Sequence, residues 1–215
     1  MKLLFPLLPD RLHSSFRLLY IFPSARFLSH FDCFIIIDFV PNHVARDYGK
    51  TTFTEGHPVL GAEDDKTVHW KAENDFFYYV GERLVLPTPV PEGMAPYEEM
   101  PAMATGNNCY SPTPGINDWY ETVKINYGDY HTSTWDKMYD IIEYWASKGV
   151  DGFRCDMVEL VPPQFFKWLI AEIKTRFPDL IFIAEVYKKD LYEEYIRNIG
   201  FDYLYDKSGL YDTLR

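Results

Sequence analysis

The sequence predicts an α/β fold, a partial (β/α)8 barrel, and three observations favour it. Predicted strands and helices alternate through the second half of the chain at intervals of about thirty residues, which is typical of a parallel sheet with covering helices. A doubly wound sheet would produce the same rhythm, but no glycine-rich phosphate loop follows any strand. Three predicted strands end on an acid, at Asp38, Asp156 and Glu185, and a barrel carries its chemistry at the C-terminal ends of its strands.

The individual elements follow from hydrophobic period and from stop signals. Apolar or β-branched runs predict strands at 34–38, 150–156, 181–185 and 201–205. The stretch "STWDKMYDIIEYWASK" has a helical period and ends before Gly149. Ser133 and Asp136 have the spacing of a capping box at its start. Two more helices are predicted at about 162–177 and 190–199.

Between the first two strands the composition changes. Seven prolines lie between residues 81 and 120, with "TGNN" and "SPTPG", and no helical period persists. We therefore expect four parts: a leader at 1–33, a barrel strand and its loop at 34–45, an irregular insertion with short strands at 46–126, and a resumed barrel at 127–215. The apolar, basic leader resembles a signal peptide, but Asp10, Arg11 and Arg17 interrupt its hydrophobic segment, so localisation stays open.

Composition excludes several classes of function. The formal charge of the 215-residue chain is −11, which disfavours a nucleic-acid partner because phosphate neutralisation needs a basic face. No apolar run reaches the length of a membrane span. The three cysteines lack the spacing of a zinc site or a disulfide framework, and Cys155 is expected to pack as a small hydrophobe.

The stretch "GFRCD" at 152–156 places an arginine and an aspartate on one side of an otherwise apolar strand. Residues two apart in a strand point the same way, so Gly152, Arg154 and Asp156 share a face. Glu185 ends the next predicted strand, and neighbouring strands lie about 5 Å apart. The carboxyl groups of Asp156 and Glu185 can therefore approach to the separation of about 5–5.5 Å that a retaining glycosidase uses. The alternative is that each acid caps a helix or only pairs with Arg154.

Three motifs carry a resemblance to a known family. "DFVPNH" (38–43), "GFRCD" (152–156) and "FIAEV" (182–186) resemble, in this order, the first three conserved regions of the alpha-amylase family, glycoside hydrolase family 13. The resemblance covers about residues 34–205. It implies that the visible strands correspond to the third through sixth of the barrel and that the insertion after the third is a domain B.

The resemblance implies a role for each matching residue. Asp156 would be the nucleophile and Glu185 the general acid/base, with a raised pKa. Arg154 would hold Asp156 in place and keep it ionised, since a guanidinium lowers the pKa of a nearby carboxyl. Asp38 would support Arg154, and His43 would bind the sugar at the cleavage subsite.

Other family features are only partly matched. Asn42 stands where many relatives ligate calcium, so a calcium ion is a possible cofactor, although the sequence identifies no other ligand. Glu159 and Leu160 replace a Lys-His pair found in many amylases. The fourth region has no counterpart before Arg215, and too few residues remain outside the insertion for eight strand–helix units. The expectation is an incomplete barrel with little activity by itself.

These observations predict a retaining hydrolase that acts on alpha-1,4-glucosidic bonds of an alpha-glucan or maltooligosaccharide. Two alternatives stay open: a transglycosylase or isomerase of the same mechanism, and an inactive, truncated sugar-binding remnant. An unrelated barrel enzyme such as an aldolase would want a lysine at a strand end, and none of the three acidic strand ends offers one. Aromatic side chains of the insertion could stack on sugar rings: Trp70, Phe76, Phe77, Tyr78, Tyr79, Tyr110 and Trp119.

Overall fold

The secondary structure follows the predicted order of strands and helices. The computed structural model describes residues 34–47, 59–89 and 97–209. The predicted leader lies outside these ranges. The strands are β1 (Ile36–Phe39), β2 (His43–Ala45), β3 (Tyr78–Tyr79), β4 (Ala102–Met103), β5 (Thr122–Lys124), β6 (Gly152–Cys155), β7 (Ile181–Glu185) and β8 (Tyr203–Tyr205). The α-helices are α1 (Ser133–Ser147) and α2 (Pro163–Arg176).

Four strands form one parallel sheet in the order β1-β6-β7-β8. Asp38 is paired with Arg154 in the register between β1 and β6, and Cys155 is paired with Ala184 between β6 and β7. The C-terminal ends of these strands therefore meet at one edge. The four strands lie in the sheet in the order in which they occur in the chain, as in a barrel wall, with β2 to β5 inserted between β1 and β6. The fold is the predicted α/β fold with a partial (β/α)8 barrel.

The helices bury their apolar stripes against this sheet. Phe165, Leu169 and Ile173 of α2 are fully buried, as the helical period predicts. Cys155 is also fully buried and belongs to the hydrophobic core, which confirms its prediction as a small hydrophobe.

The predicted capping box at the start of α1 is wrong. Thr132 is the N-cap residue, and no side chain caps the helix. The Asp136 carboxylate, in the first turn of the helix, instead accepts a hydrogen bond from His131 Nε2 at 2.6 Å. The helix predicted at 190–199 is also different: a 3₁₀ turn covers Lys189–Leu191 and a π-helical segment covers Glu194–Ile199.

Short antiparallel ladders build the segment between β1 and α1. Strand β2 pairs with β5, and β3 pairs with β4. Two buried ion pairs hold this segment, Arg46 with Glu99 and Lys137 with Asp75, each at 2.6 Å. Short strands with irregular connections were expected here; that residues 46–126 form a separate domain stays a prediction. In the described part of the chain, no helix has the length and apolarity needed to cross a membrane.

Candidate active site

The guanidinium of Arg154 joins three carboxyl groups at the C-terminal edge of the sheet. Nη1 donates to Asp38 Oδ1 and to Asp156 Oδ1, both at 2.7 Å, and Nη2 lies 2.5 Å from Glu185 Oε1. Strand period places Arg154 and Asp156 on the same side, and the parallel register places Asp38 and Glu185 on either flank. All four side chains are largely buried, so the charges interact with little screening by water.

Glu185 accepts hydrogen bonds from more donors than Asp156 does. Its Oε1 accepts a hydrogen bond from Tyr187 Oη at 2.5 Å, and Lys207 Nζ lies 3.4 Å from the same oxygen. Its Oε2 accepts from the backbone N–H of Met157 at 3.1 Å. Met157 has a left-handed backbone conformation, with φ of 47°, which is uncommon for a residue with a side chain. The surrounding structure must therefore stabilise the turn that directs this N–H towards Glu185.

The pKa order of the two carboxyl groups is opposite to the one expected from the sequence. Burial, the hydrogen bond to Glu185 and its negative charge raise the pKa of Asp156 to about 6, against the lowering effect of Arg154. Burial would raise the pKa of Glu185, but hydrogen bonds from Tyr187 and Met157 and the charge of Arg154 lower it. Each carboxyl group acts on the other, so the two titrate as a pair, with the pKa of Asp156 raised and that of Glu185 lowered.

Arg154 stays charged because of its neighbours. Burial by itself would lower the pKa of the guanidinium, but the hydrogen bond and charge of Asp38 and the charges of Glu185 and Asp156 raise it well above its ordinary value. The group is therefore a permanent cation between the carboxyl groups.

His43 is a neutral imidazole beside the carboxyl pair. Burial and the positive charge of Lys124 lower its pKa to about 4. The Asn42 amide nitrogen lies 3.2 Å from His43 Nδ1, which leaves Nε2 as the ring donor when Nδ1 accepts. Gly106 packs so closely here that a Cβ on it would lie 2.8 Å from the His43 Cβ, so the loop needs a glycine.

These groups line a cleft of about 510 Å³, within the size range of small-ligand sites. Its lining includes both carboxyl residues together with His43, Trp119, Tyr187 and Lys207. The Trp119 ring lies 5.3 Å from the His43 ring, centroid to centroid. Of the aromatic residues that the sequence offered for sugar stacking, Trp119 lines this cleft, whereas Phe76 and Tyr78 are buried in the hydrophobic core.

The surroundings of Asn42 do not fit a calcium ligand. Its amide oxygen accepts a hydrogen bond from Lys124 Nζ, and its amide nitrogen donates to the Gly106 carbonyl at 2.7 Å. Calcium requires six to eight oxygen ligands, and a lysine ammonium repels it. Within residues 34–47, 59–89 and 97–209, no group of three or more His, Cys, Asp or Glu side chains is arranged to hold a metal ion.

Glu159, which departs from the amylase pattern, fastens the loop after β7. Its Oε1 accepts hydrogen bonds from the backbone N–H groups of Tyr187 at 2.6 Å and Lys188 at 2.8 Å. Tyr187 in turn donates to Glu185, so Glu159 acts on the carboxyl pair through this loop.

Sequence reasoning missed four groups around the predicted residues: Tyr187, the Met157 N–H, Lys207 and Lys124. Tyr187 follows Glu185 by two positions, and this spacing was a signal that could have been used. Lys207 and Lys124 lie far along the chain from the groups that they contact, and no local pattern marks them.

Comparison with known proteins supports the motif assignment, although no family model matches the chain. An alpha-1,4-glucan:maltose-1-phosphate maltosyltransferase of Mycobacterium tuberculosis is 27% identical over 154 residues, which are 69% of this chain and 21% of that protein. The enzyme of the same name from Rhodospirillum rubrum is 34% identical over 79 residues, or 37% of this chain and 12% of that protein. These similarities agree with the resemblance of the three motifs to the alpha-amylase family, glycoside hydrolase family 13.

The resemblance to this family is carried by the three ordered motifs and by these sequence relatives. Among solved structures, an alpha-amylase from Lactobacillus plantarum is 30% identical, with a TM-score of 0.31, over 46% of this chain and 22% of the amylase. The chain spans only about a fifth, or less, of the length of the curated relatives described above.

Proposed function

We propose that this chain carries the catalytic pair of an anomer-retaining enzyme that cleaves alpha-1,4-glucosidic bonds in maltooligosaccharides or starch. Asp156 is the nucleophile and Glu185 the general acid/base. The observation that carries the proposal is the contact of one guanidinium, that of Arg154, with Asp38, Asp156 and Glu185 beside an open cleft.

Retention of the anomeric configuration follows from the closeness of the two carboxyl groups. An inverting enzyme keeps its carboxyl groups about 6.5–9.5 Å apart to admit a water molecule between them and the sugar. Asp156 and Glu185 instead contact the same guanidinium, at 2.7 and 2.5 Å, which holds the two carboxyl groups close together. The closer spacing suits direct attack by one carboxylate on the anomeric carbon, with a covalent glycosyl-enzyme intermediate.

The proton must lie on Glu185 before the glycosidic bond breaks. In the ligand-free site the pKa of Asp156 is raised and that of Glu185 is lowered, so binding of the sugar has to reverse this order. When a sugar separates the two groups, Asp156 remains beside Arg154, which favours its ionised form. Glu185 then donates its proton to the leaving oxygen and later accepts one from the attacking water.

Arg154 and His43 prepare the site for this step. Arg154, supported by Asp38, holds the nucleophile from one side. The neutral imidazole of His43 offers a hydrogen-bond donor to a sugar hydroxyl without adding a charge. Trp119 lies next to it in the cleft and provides an aromatic face for the sugar ring.

A second candidate is glycosyl transfer through the same intermediate, and the names of the sequence relatives favour it. Those relatives are named for transfer of maltosyl groups from maltose 1-phosphate. The proximity of Lys207 to Glu185 would place a cation near an anionic leaving group. The two candidates differ only in the leaving group and in the acceptor of the glycosyl-enzyme.

Covalent trapping tests the mechanism in the full-length natural protein. A fluorinated maltosyl fluoride is added, and peptide mass spectrometry then locates the sugar. We expect the label on Asp156, no label in Asp156→Ala, and a covalent sugar that persists longer in Glu185→Gln than in the exposed control Glu172→Gln, because the base that activates the attacking water is missing. A sugar on another residue, or inversion of the anomer by NMR, would refute the assignment.

Product analysis separates the two candidates. Hydrolysis predicts free maltose from maltooligosaccharides without an added acceptor. Transfer predicts that maltose 1-phosphate releases phosphate only when an acceptor glucan is present. Calorimetry with cellooligosaccharides provides the linkage control, and preferential binding of this beta-linked series would contradict the proposed substrate class.

A further inference from the structure

The buried side chain of Lys124 lies where the family resemblance suggested a metal ion. We propose that its ammonium group is the structural cation of this site and takes the place of calcium between the insertion and the ends of β1 and β6. The inference does not depend on the proposed function, because its tests measure stability and need no catalysis.

Lys124 has the ligands of a bound cation rather than those of an ion pair. Nζ donates to Asn42 Oδ1 and, at 2.7 Å, to the carbonyl oxygen of Leu160. Both acceptors are neutral oxygens. Across the described ranges, the structure records no carboxylate in ion-pair contact with Nζ. The other buried lysine, Lys137, instead pairs with the carboxylate of Asp75.

Contacts with the protein must compensate for the free-energy cost of burying this ammonium group. Only 7% of Lys124 is exposed, and a charge removed from water without an opposite charge is costly. Burial lowers the pKa of Lys124 to about 8, so the group remains a cation at neutral pH. A methionine of similar length would fill the same space without the charge. We therefore infer that the role of the charge is to bind the two oxygens that it contacts.

The two oxygens belong to segments that border the catalytic groups. Asn42 precedes His43, and Leu160 ends the 3₁₀ turn that follows the Asp156–Met157 corner. Lys124 itself ends β5, where it pairs with His43 in the ladder, and its backbone N–H donates to Ala104. One ammonium thus ties the insertion, the end of β1 and the turn after β6 together, as a bridging metal ion does elsewhere.

Chelation of the unaltered protein is the first test. A calcium ion at a thousand times its dissociation constant raises Tm by about 10 °C in a domain of this size. We expect no difference in Tm between protein treated with EDTA and protein in millimolar calcium. A fall of Tm in EDTA that calcium reverses would overturn the proposal.

The second test is chemical rescue, in which a small ammonium ion replaces the missing side chain of a Lys124 variant. Lys124→Ala leaves the two oxygens without a donor and opens space for a small amine. We expect ethylammonium to raise the Tm of this variant more than tetramethylammonium, which has no N–H donor. The control Lys167→Ala, at an exposed position of α2, should respond equally to both salts. An equal response of Lys124→Ala to both salts would also overturn the proposal. If the variant does not fold, the chelation test on the unaltered protein decides by itself.

Discussion

Replacement of Arg154 by methionine should leave the four strands of the parallel sheet intact but remove the one cation that contacts all three carboxyl groups. Methionine keeps much of the aliphatic stem and loses the guanidinium. Asp38, Asp156 and Glu185 then face one another without the hydrogen bonds of 2.5–2.7 Å that now separate their charges. Their side chains are between 2% and 21% exposed, so water can compensate only partly.

The magnitude follows from the burial of these groups. Removal of one partner from a buried ion pair destabilises a protein by about 3–5 kcal/mol. In a domain of this size each kcal/mol lowers Tm by about 2–4 °C, so a fall of roughly 10 °C is expected at neutral pH. Protonation of the carboxyl groups relieves the repulsion, which makes the loss dependent on pH.

The sign of the pH dependence is determined by the loss of a cation. Arg154 now lowers the pKa of Asp156 and of Glu185, and both pKa values rise when it is removed. A carboxyl group whose folded pKa lies above its unfolded value destabilises the protein at high pH, and this effect disappears as pH falls below the folded pKa. The variant should therefore lie furthest below wild type at about pH 7.5 and approach it near pH 5.

Thermal or urea unfolding at several pH values measures the effect. Arg154→Lys is the matched control for charge, since a single ammonium cannot reproduce the fork of Nη1 and Nη2 and should recover only part of the loss. Arg176→Met controls for loss of an exposed arginine, because the Arg176 side chain is 60% exposed. A stability loss in Arg154→Met that is the same at low and high pH would refute the electrostatic reasoning.

Two further predictions concern the groups around the carboxyl pair. Tyr187→Phe removes a hydrogen bond that lowers the pKa of Glu185, so this pKa should rise; carbon NMR of the carboxyl groups measures it, and an unchanged titration would contradict the role of the phenol. Gly106→Ala places a Cβ 2.8 Å from the His43 Cβ, so we expect a loss of about 1–3 kcal/mol in unfolding free energy and weaker maltooligosaccharide binding by calorimetry. Gly209→Ala, whose Cβ meets nothing within 4 Å, is the control, and equal effects of the two substitutions would count against the packing argument.

The sequence by itself determined the order of the elements and the residues that meet at the sheet edge. A strand period of two places Arg154 and Asp156 on one side, and this rule holds for any strand. The strand at Ile181–Glu185 has the predicted bounds, and α2 begins and ends within one residue of its prediction. Such features depend on local backbone geometry, which the residues of each segment specify.

The tertiary structure alone decided the electrostatics of the site. The pKa order of Asp156 and Glu185 depends on the donors that reach Glu185, and one of these comes from Lys207 on a separate segment. The cation beside Asn42 is a lysine 82 residues further along the chain. Coulomb interactions and desolvation sum over every group that lies close in space, regardless of its distance in sequence. For this reason the motifs could name the carboxyl pair, but only the folded chain could show in which direction each of the two pKa values is shifted.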